Sequence, residues 1–324
     1  MNADQRRQLG NTDIYISSVA MGCWPISGMT SLDVNERDSL ATLDAAVDAG
    51  VNFFDTAYCY GTNGESERLI ARGLQDRRDD LVIATKCGIH WQLDGVMQVD
   101  GHPETLHREC NESLQRLNTD RVELLYLHAP DPNVAISESA GALKDLLDEG
   151  KTRSIGVSNF SVTQMEEFAA VCPITAYQPP YNLLQRQIEK DTLPWCRERQ
   201  ISVIVYWPLM KGLLAGQLRR DHVFQPKDGR AKYAMFQGAE WQKNHDFLDR
   251  LREIAGSVGK SLAQISVNWT IHQPGVTAAL CGAKRPHQIQ ETAGAMNWQI
   301  TPEHLAQIEA ALEERGEPVE LRAV

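Results

Sequence analysis

Residues 52–60, NFFDTAYCY, begin as an apolar run and end on Asp55 and Tyr60. Three later stretches share that build. LVIATKCG (81–88) closes on Lys86, VELLYLHAPDP (122–132) on His128, and RSIGVSNF (153–160) on Ser158 and Asn159. A parallel barrel strand is buried on both faces, so it reads as a nearly continuous apolar run. Its C-terminal end leaves the core on the rim where such barrels keep their chemistry. Strand ends offering Asp/Tyr, Lys, His and Ser-Asn therefore predict one site assembled from distant parts of the chain.

The same rhythm runs through the rest of the sequence. RQLG and DIYIS, around Asn11-Thr12, predict a short N-terminal β-hairpin, and SSVAMG (17–22) predicts the first barrel strand. Helices are expected near 36–49, 65–76, 103–117, 136–149, 161–171 and 188–199, with Leu40, Leu43 and Val47 on one face of the first. Gly50 and Gly150 supply C-terminal stops. ITAYQ (174–178), ISVIVYW (201–207) and TAALCG (277–282) complete the strands, and further helices are expected near 240–257, 261–272 and 286–296. Eight β–α units in succession predict an α/β fold, a (β/α)8 TIM barrel with extra helices after strand seven, as one domain over 1–324. Residues 210–238 break the rhythm with Lys211, Gly212, Gly216, Arg219, Arg220, Lys227, Gly229 and Arg230. A long basic loop directly after strand seven is expected to be a lid over a phosphate. The C-terminal LEERGEPVELRAV (312–324) reads as a helix end and a tail.

Composition narrows the partners. The 324 residues are 42% hydrophobic and 23% charged, and 32 Lys+Arg against 43 Asp+Glu give a net charge of −11. That field repels polyanions, so neither nucleic acid nor an anionic membrane is expected as a partner. The start, MNADQRRQLG, lacks an apolar leader core, and no run approaches the roughly 18 apolar residues of a membrane span. Seven scattered cysteines without a C-x-x-C pair fit reduced thiols in a cytoplasm, and no metal site is expected. No G-x-G-x-x-G follows a strand, so a Rossmann site is not indicated, and GSVGKS (256–261) sits between helices as a turn. Nothing in the sequence sets an oligomeric state.

The motifs form a recognisable set. D-T-A-x-x-Y (Asp55 to Tyr60), T-K (Thr85-Lys86), L-H-x-P (Leu127 to Pro130), G-V-S-N-F (Gly156 to Phe160) and Q-x-x-Y-N (Gln178 to Asn182) occur in order. Y-x-P-L (Tyr206 to Leu209) and G-A-K-R-P-x-Q-x-x-E (Gly282 to Glu291) follow, and R-x-L-G-N-T-D (Arg7 to Asp13) and M-G-C-W (Met21 to Trp24) precede them. Over nearly its whole length the chain resembles the aldo-keto reductase superfamily. It is most similar to the bacterial branch related to potassium-channel β subunits and sugar or inositol-linked reductases. The resemblance implies reversible NADPH-dependent reduction of an aldehyde or ketone, with a small-molecule carbonyl substrate. An NADP(H)-binding, redox-sensing regulatory subunit with little turnover is the alternative; the channel-associated relatives typically lack a histidine at the place of His128. A Schiff-base aldolase using Lys86 would leave Tyr206 and the SNF and GAKR segments without a role.

The chemistry suits this residue set. Hydride addition to a carbonyl leaves negative charge on oxygen, so a proton donor must stand there. Tyr60 is the expected acid, with Lys86 lowering its pKa, Asp55 orienting Lys86, and His128 bonding the carbonyl oxygen. By resemblance, Ser158, Asn159 and Gln178 bond the nicotinamide carboxamide and Tyr206 stacks under its ring. The resemblance also places Gly22, Cys23, Trp24 and Asp55 among the cofactor-binding residues. Leu209, Lys211 and Gly212 wrap the pyrophosphate with Arg230 as a clamp, and Gly282, Ala283, Lys284, Gln288 and Glu291 meet the adenosine phosphate. Lys284 and Arg285 together favour NADP(H). Trp24, Tyr58, His90 and Trp91 are expected to line the substrate pocket. Trp207, Cys23 and Thr292 depart from the family's common pattern. Cys59 beside Tyr60, with Cys23 and Cys87 on the same rim, leads to the expectation that oxidants or alkylating agents inactivate the protein.

Overall fold

A computed structural model describes residues 6–29, 33–226 and 228–319. Its strands, in chain order, are β1 (Arg7–Gln8), β2 (Tyr15–Ile16), β3 (Val19–Gly22), β4 (Phe53–Asp55), β5 (Val82–Cys87) and β6 (Ile89–Trp91). β7 (Met97–Val99), β8 (Leu124–Leu127), β9 (Ile155–Ser158), β10 (Ala176–Gln178), β11 (Ser202–Val205) and β12 (Val276–Gly282) follow. Eight of them close into a parallel barrel in the order β3-β4-β5-β8-β9-β10-β11-β12 and back to β3. This is the (β/α)8 TIM barrel that the alternation of runs predicts.

The strands' side chains divide by period two. Val19, Met21, Phe54, Ile83, Leu125, Val157, Val203 and Cys281 face outward into a large apolar layer shared with the helices. Ala20, Phe53, Val82, Ala84, Leu124, Tyr126, Ala176, Ile204, Ala278 and Leu280 fill the barrel interior. Leu9, Ile14 and Ile16 of the β1–β2 hairpin join that interior cluster, so the hairpin plugs one end. The other end carries the next inward position of each strand.

The surrounding helices are α1 (Glu36–Asp48), α2 (Glu65–Leu74), α3 (Pro103–Leu117), α4 (Ile136–Asp148), α5 (Val162–Ala169) and α6 (Thr192–Glu198). After β11 come α7 (Gly238–Ser257) and α8 (Leu262–Ile271), and after β12 α9 (Pro286–Ala293) and α10 (Pro302–Arg315). Two elements go beyond the sequence reading. β6 and β7 form an antiparallel hairpin over the mouth, turning at Asp94-Gly95 with Gly95 at φ +80°. α10 starts on Thr301, whose hydroxyl accepts from His304 N, and ends where Arg315 is buried against Asn244 and Glu240 of α7. The tail then returns to α7 through Val319 N to Glu240 (3.1 Å), and 320–324 lie outside the described residues.

The segment 210–238 is more ordered than a solvated loop. It contains 3-10 turns at Met210–Ala215, Gly229–Lys232 and Ala234–Phe236. Its charges divide, which corrects the picture of one basic lid. Arg220 bonds Gln242, Asp246 and Asp249 of α7, and Arg219 pairs with Asp221, whereas Lys211 and Arg230 stay together. Lys227 lies outside the described residues.

Candidate active site

The inward series of each strand ends on a polar group or a glycine. Asp55 continues Phe53, Lys86 continues Ala84, His128 continues Tyr126, Ser158 continues Gly156, and Gln178 continues Ala176. Tyr206 continues Ile204, and Gly22 and Gly282 continue Ala20 and Leu280. Lys86 and Asp55 are each only 1% exposed. The Lys86 ammonium donates to Asp55 Oδ1 (2.5 Å), to the Thr56 carbonyl (2.7 Å) and to the Tyr60 hydroxyl (3.3 Å). An ammonium has three protons, so all are directed. Asp55 Oδ2 accepts from Gln178 Nε2 at 2.8 Å. A buried charge pair needs this satisfaction, because desolvation otherwise outweighs the attraction.

Tyr60 sits on the loop after β4, edge-on to Trp24 (centroids 4.9 Å) and 6.1 Å from the His128 ring. Burial and then the Asp55 carboxylate push its phenol well above the ordinary tyrosine value. This corrects the expectation that the nearby ammonium lowers it: the lysine's proximity does not outweigh the desolvation of a phenolate. Burial likewise raises the Asp55 carboxyl, opposed by Lys86 and Gln178. The His128 imidazole is pushed well below the usual histidine range by burial and then by Lys86, so it is neutral. Cys59 Sγ lies 3.7 Å from His128 Nδ1, and Trp91 Nε1 donates to the Cys59 carbonyl at 2.8 Å. Ala57, Cys59, Ile89 and Ala129 form a small apolar cluster there, with Tyr60, Trp91, Met97 and Val99 packed on it.

Two expected substrate residues point elsewhere. The Tyr58 hydroxyl donates to Glu112 (2.7 Å) and its ring lies 4.1 Å from the Arg116 guanidinium, so it is turned onto α3. His90 Nδ1 is 2.8 Å from Glu109 of α3, which also accepts from Gly88 N (2.7 Å). Tyr58 and His90 both lie off the barrel strands, on the loop after β4 and in the β6–β7 hairpin, where contacts with α3 set the direction. Trp24 and Trp91 remain beside Tyr60. The rim thiols also depart from expectation: burial pushes Cys59 up to about 12 and raises Cys23 and Cys87 as well, so none is a ready thiolate.

Around the rim from His128 lies a connected polar patch. Asn159, in the left-handed region at φ +62°, donates to the His128 carbonyl (3.0 Å) and accepts from the Tyr206 hydroxyl (2.9 Å). Ser158 Oγ donates to the Gln178 carbonyl at 2.8 Å. This set of amides and hydroxyls beside a half-buried tyrosine ring fits a carboxamide-bearing aromatic ring. A Cβ on Gly282 would come 2.9 Å from Pro25, so the end of β12 takes no side chain without a shift, whereas one on Gly22 would make only ordinary contact, 3.6 Å from Gly282 N. Cys23 is fully buried, and Ala283 is 2% exposed.

Cations follow on the loops after β11 and β12. Lys211 Nζ lies between the rings of Trp207 (3.8 Å) and Tyr233 (4.6 Å), and burial with Lys232 and Arg230 lowers it to about 8. Lys211 and Trp207 both hold positive φ beside Leu209 and Gly212, which bends the loop tightly. Arg230 is clasped by Asp228 and reaches the Lys211 carbonyl, so as a clamp its charge is already partly answered. Gln288 accepts from Lys284 N at 2.9 Å, with half-buried Glu291 one turn along α9. Arg285 does not stand free either. It contacts Asp38 of α1 at 3.3 Å and the Asp33 carbonyl at 2.7 Å. Thr292 turns inward, bonding the Gln288 carbonyl within α9.

Sequence reasoning passed over the supports. Glu67 is fully buried and accepts from Thr85 Oγ1 (2.7 Å) and Arg116 (3.3 Å), while Arg116 also holds the Tyr58 carbonyl. That network fixes the loop carrying Tyr60. A glutamate in the first turn of a helix reads as an ordinary acidic N-terminus, so nothing local marks it.

Comparison with known proteins agrees with this architecture. Residues 18–313 match the Aldo/keto reductase family. Aldo-keto reductase YhdN of Bacillus subtilis (strain 168) is 34% identical over 308 residues, spanning 94% of this chain and 92% of the relative. The NADH-specific methylglyoxal reductase of Escherichia coli (strain K12) is 31% identical, spanning 90% and 94%. The solved structure of a glycerol dehydrogenase from Gluconobacter oxydans matches with a TM-score of 0.91 and 33% identity, covering 99% of each chain.

Proposed function

The chain belongs to the aldo/keto reductase family, oxidoreductases that reduce small carbonyl compounds with a nicotinamide cofactor, and from that premise we propose Tyr60 as its proton donor and NADP(H) as its preferred cofactor. The observation that carries the catalytic reading is Lys86, whose ammonium touches both the Asp55 carboxylate and the Tyr60 hydroxyl. The bound cofactor supplies the hydride. As negative charge develops on the substrate oxygen, Tyr60 gives it a proton, and Lys86 stabilises the phenolate left behind. Asp55, fixed by Gln178, holds the ammonium in place. Neutral His128 donates a hydrogen bond to the same oxygen and orients it.

Ser158, Asn159, Gln178 and Tyr206 hold the nicotinamide end. Leu209, Lys211, Gly212 and Arg230 meet the pyrophosphate, and Gly282, Ala283, Lys284, Gln288 and Glu291 meet the adenosine end. Trp24 and Trp91 wall the substrate pocket, and one domain over 1–324 carries the site. Lys284 and Arg285 support NADP(H), while the Asp38 contact to Arg285 weakens that support. Lys86 as a Schiff-base nucleophile is disfavoured, because each of its protons already has an acceptor and no lone pair is presented. Seven free thiols are consistent with a reducing compartment.

The test is turnover with NADPH and with NADH on small aldehydes and ketones including methylglyoxal, and the reverse reaction on glycerol. Faster NADPH consumption is expected. Tight cofactor binding with no turnover on any carbonyl would instead favour the regulatory reading.

A further inference from the structure

We propose that Cys59 is a positioning residue that fixes the tautomer of His128, donating its S–H to Nδ1 and so leaving the imidazole proton on Nε2. The inference rests on the reading of His128 as the donor to the substrate oxygen. A neutral imidazole carries one N–H, and which nitrogen holds it is decided by the bond the other makes. Cys59 Sγ, 3.7 Å from Nδ1, is the hydrogen-bond partner of that ring among the described residues. Two pairings are conceivable. Sulfur is a weak acceptor, whereas an imidazole nitrogen lone pair is a strong one, so S–H to N is the better match. The thiol keeps its proton, since burial pushes it up to about 12, and the imidazole stays neutral.

The consequence for the reaction is direct. With the proton on Nε2, the ring can donate to an oxygen gaining negative charge. With the proton on Nδ1, a nitrogen lone pair would meet that oxygen and repel it. Cys59 is itself held from the outside by Trp91, which donates to its carbonyl at 2.8 Å. The β6–β7 hairpin thereby helps to place the thiol under His128.

The experiment uses the full chain as Cys59→Ala and Cys59→Ser. Long-range nitrogen–proton correlation spectra of the resting protein, with His128 assigned by loss of its signals in His128→Asn, read the tautomer without turnover. Wild type and Cys59→Ser should show Nε2–H, and Cys59→Ala should gain the Nδ1–H form. In Cys59→Ala kcat should fall roughly three- to tenfold, the scale of one neutral hydrogen bond, with cofactor Kd unchanged. Cys59→Ser should stay within about twofold of wild type, because its hydroxyl restores the donor. An Nδ1–H wild type overturns the proposal, and so does a Cys59→Ala protein with unchanged tautomer or unchanged kcat. Loss of the catalytic reading itself would register separately, as full turnover in His128→Asn.

Discussion

In the role proposed for it, Tyr60 is a weak acid suited to its task. Its phenol is raised by burial and by Asp55, so it keeps its proton until a stronger base forms beside it. On the proposed mechanism the alkoxide left by hydride addition is such a base, and Lys86, 3.3 Å from the hydroxyl, would stabilise the phenolate. Tyr60→Phe should therefore lower kcat by about 100- to 10,000-fold. Cofactor Kd, read by fluorescence titration, should change by less than about twofold, because the phenol acts in the transition state. Retained turnover would remove Tyr60 from the role. The pH dependence follows from the same shifts. The His128 pKa is lowered, so the neutral donor persists as pH falls through the ordinary histidine range; the Tyr60 pKa is raised, so the phenol persists as pH rises toward ordinary tyrosine ionisation. Reductive kcat should be level from about pH 6 to about pH 9, and a limb near pH 6.5 that disappears in His128→Asn would contradict it.

At the scale of the element, the strands explain how much of the site could be read in advance. Period-two alternation makes the last inward position of each strand predictable, and Asp55, Lys86, His128, Ser158, Gln178 and Tyr206 all fall there. Tyr58 lies on the loop after β4 and His90 in the β6–β7 hairpin over the mouth, where α3 decides their direction through Glu112 and Glu109. The β6–β7 hairpin had its own signal, Asp94-Gly95 between alternating apolar residues, and α10 had Thr301-Pro302; both were legible locally. The contact between Cys59 and His128 joins positions 69 residues apart and left no local trace. Inside the barrel, Gly156 faces Tyr126, and a Cβ there would lie 2.4 Å from the ring and 2.9 Å from the Ala176 carbonyl. Gly156→Ala should destabilise by about 1–3 kcal/mol through overpacking, lowering Tm by several degrees. Adding Tyr126→Leu should recover part of that loss. An unchanged Tm in the single variant would mean the ring has room that this packing does not provide.

Across the whole molecule, charge is segregated: the net value is −11, yet Lys211, Arg230, Lys232, Lys284 and Arg285 gather on the loops after β11 and β12. A net-acidic protein thus carries a local basic rim, which on the proposed reading would meet the cofactor's phosphates. The choice between NADPH and NADH turns on a smaller balance. On the proposed reading Lys284 and Arg285 would favour a 2′-phosphate, while Asp38 of α1 already occupies one side of Arg285. A relative with 31% identity is named as NADH-specific, so this scaffold does not impose the choice by itself. Replacing Lys284 and Arg285 with Met should weaken NADPH binding by about tenfold or more, at about 1.4 kcal/mol per tenfold. NADH binding should barely move, because NADH has no group there to lose. Asp38→Asn should act in the opposite direction, raising the NADPH-to-NADH affinity ratio by roughly two- to fivefold, the scale of a half-exposed ion pair. Added salt should shrink both effects together, since the contacts lie at the surface. Titrating the wild type and these variants with both cofactors decides the matter. Equal wild-type affinities would show that the pair does not read the phosphate, and an Asp38→Asn protein with unaltered preference would show that Asp38 does not restrain Arg285.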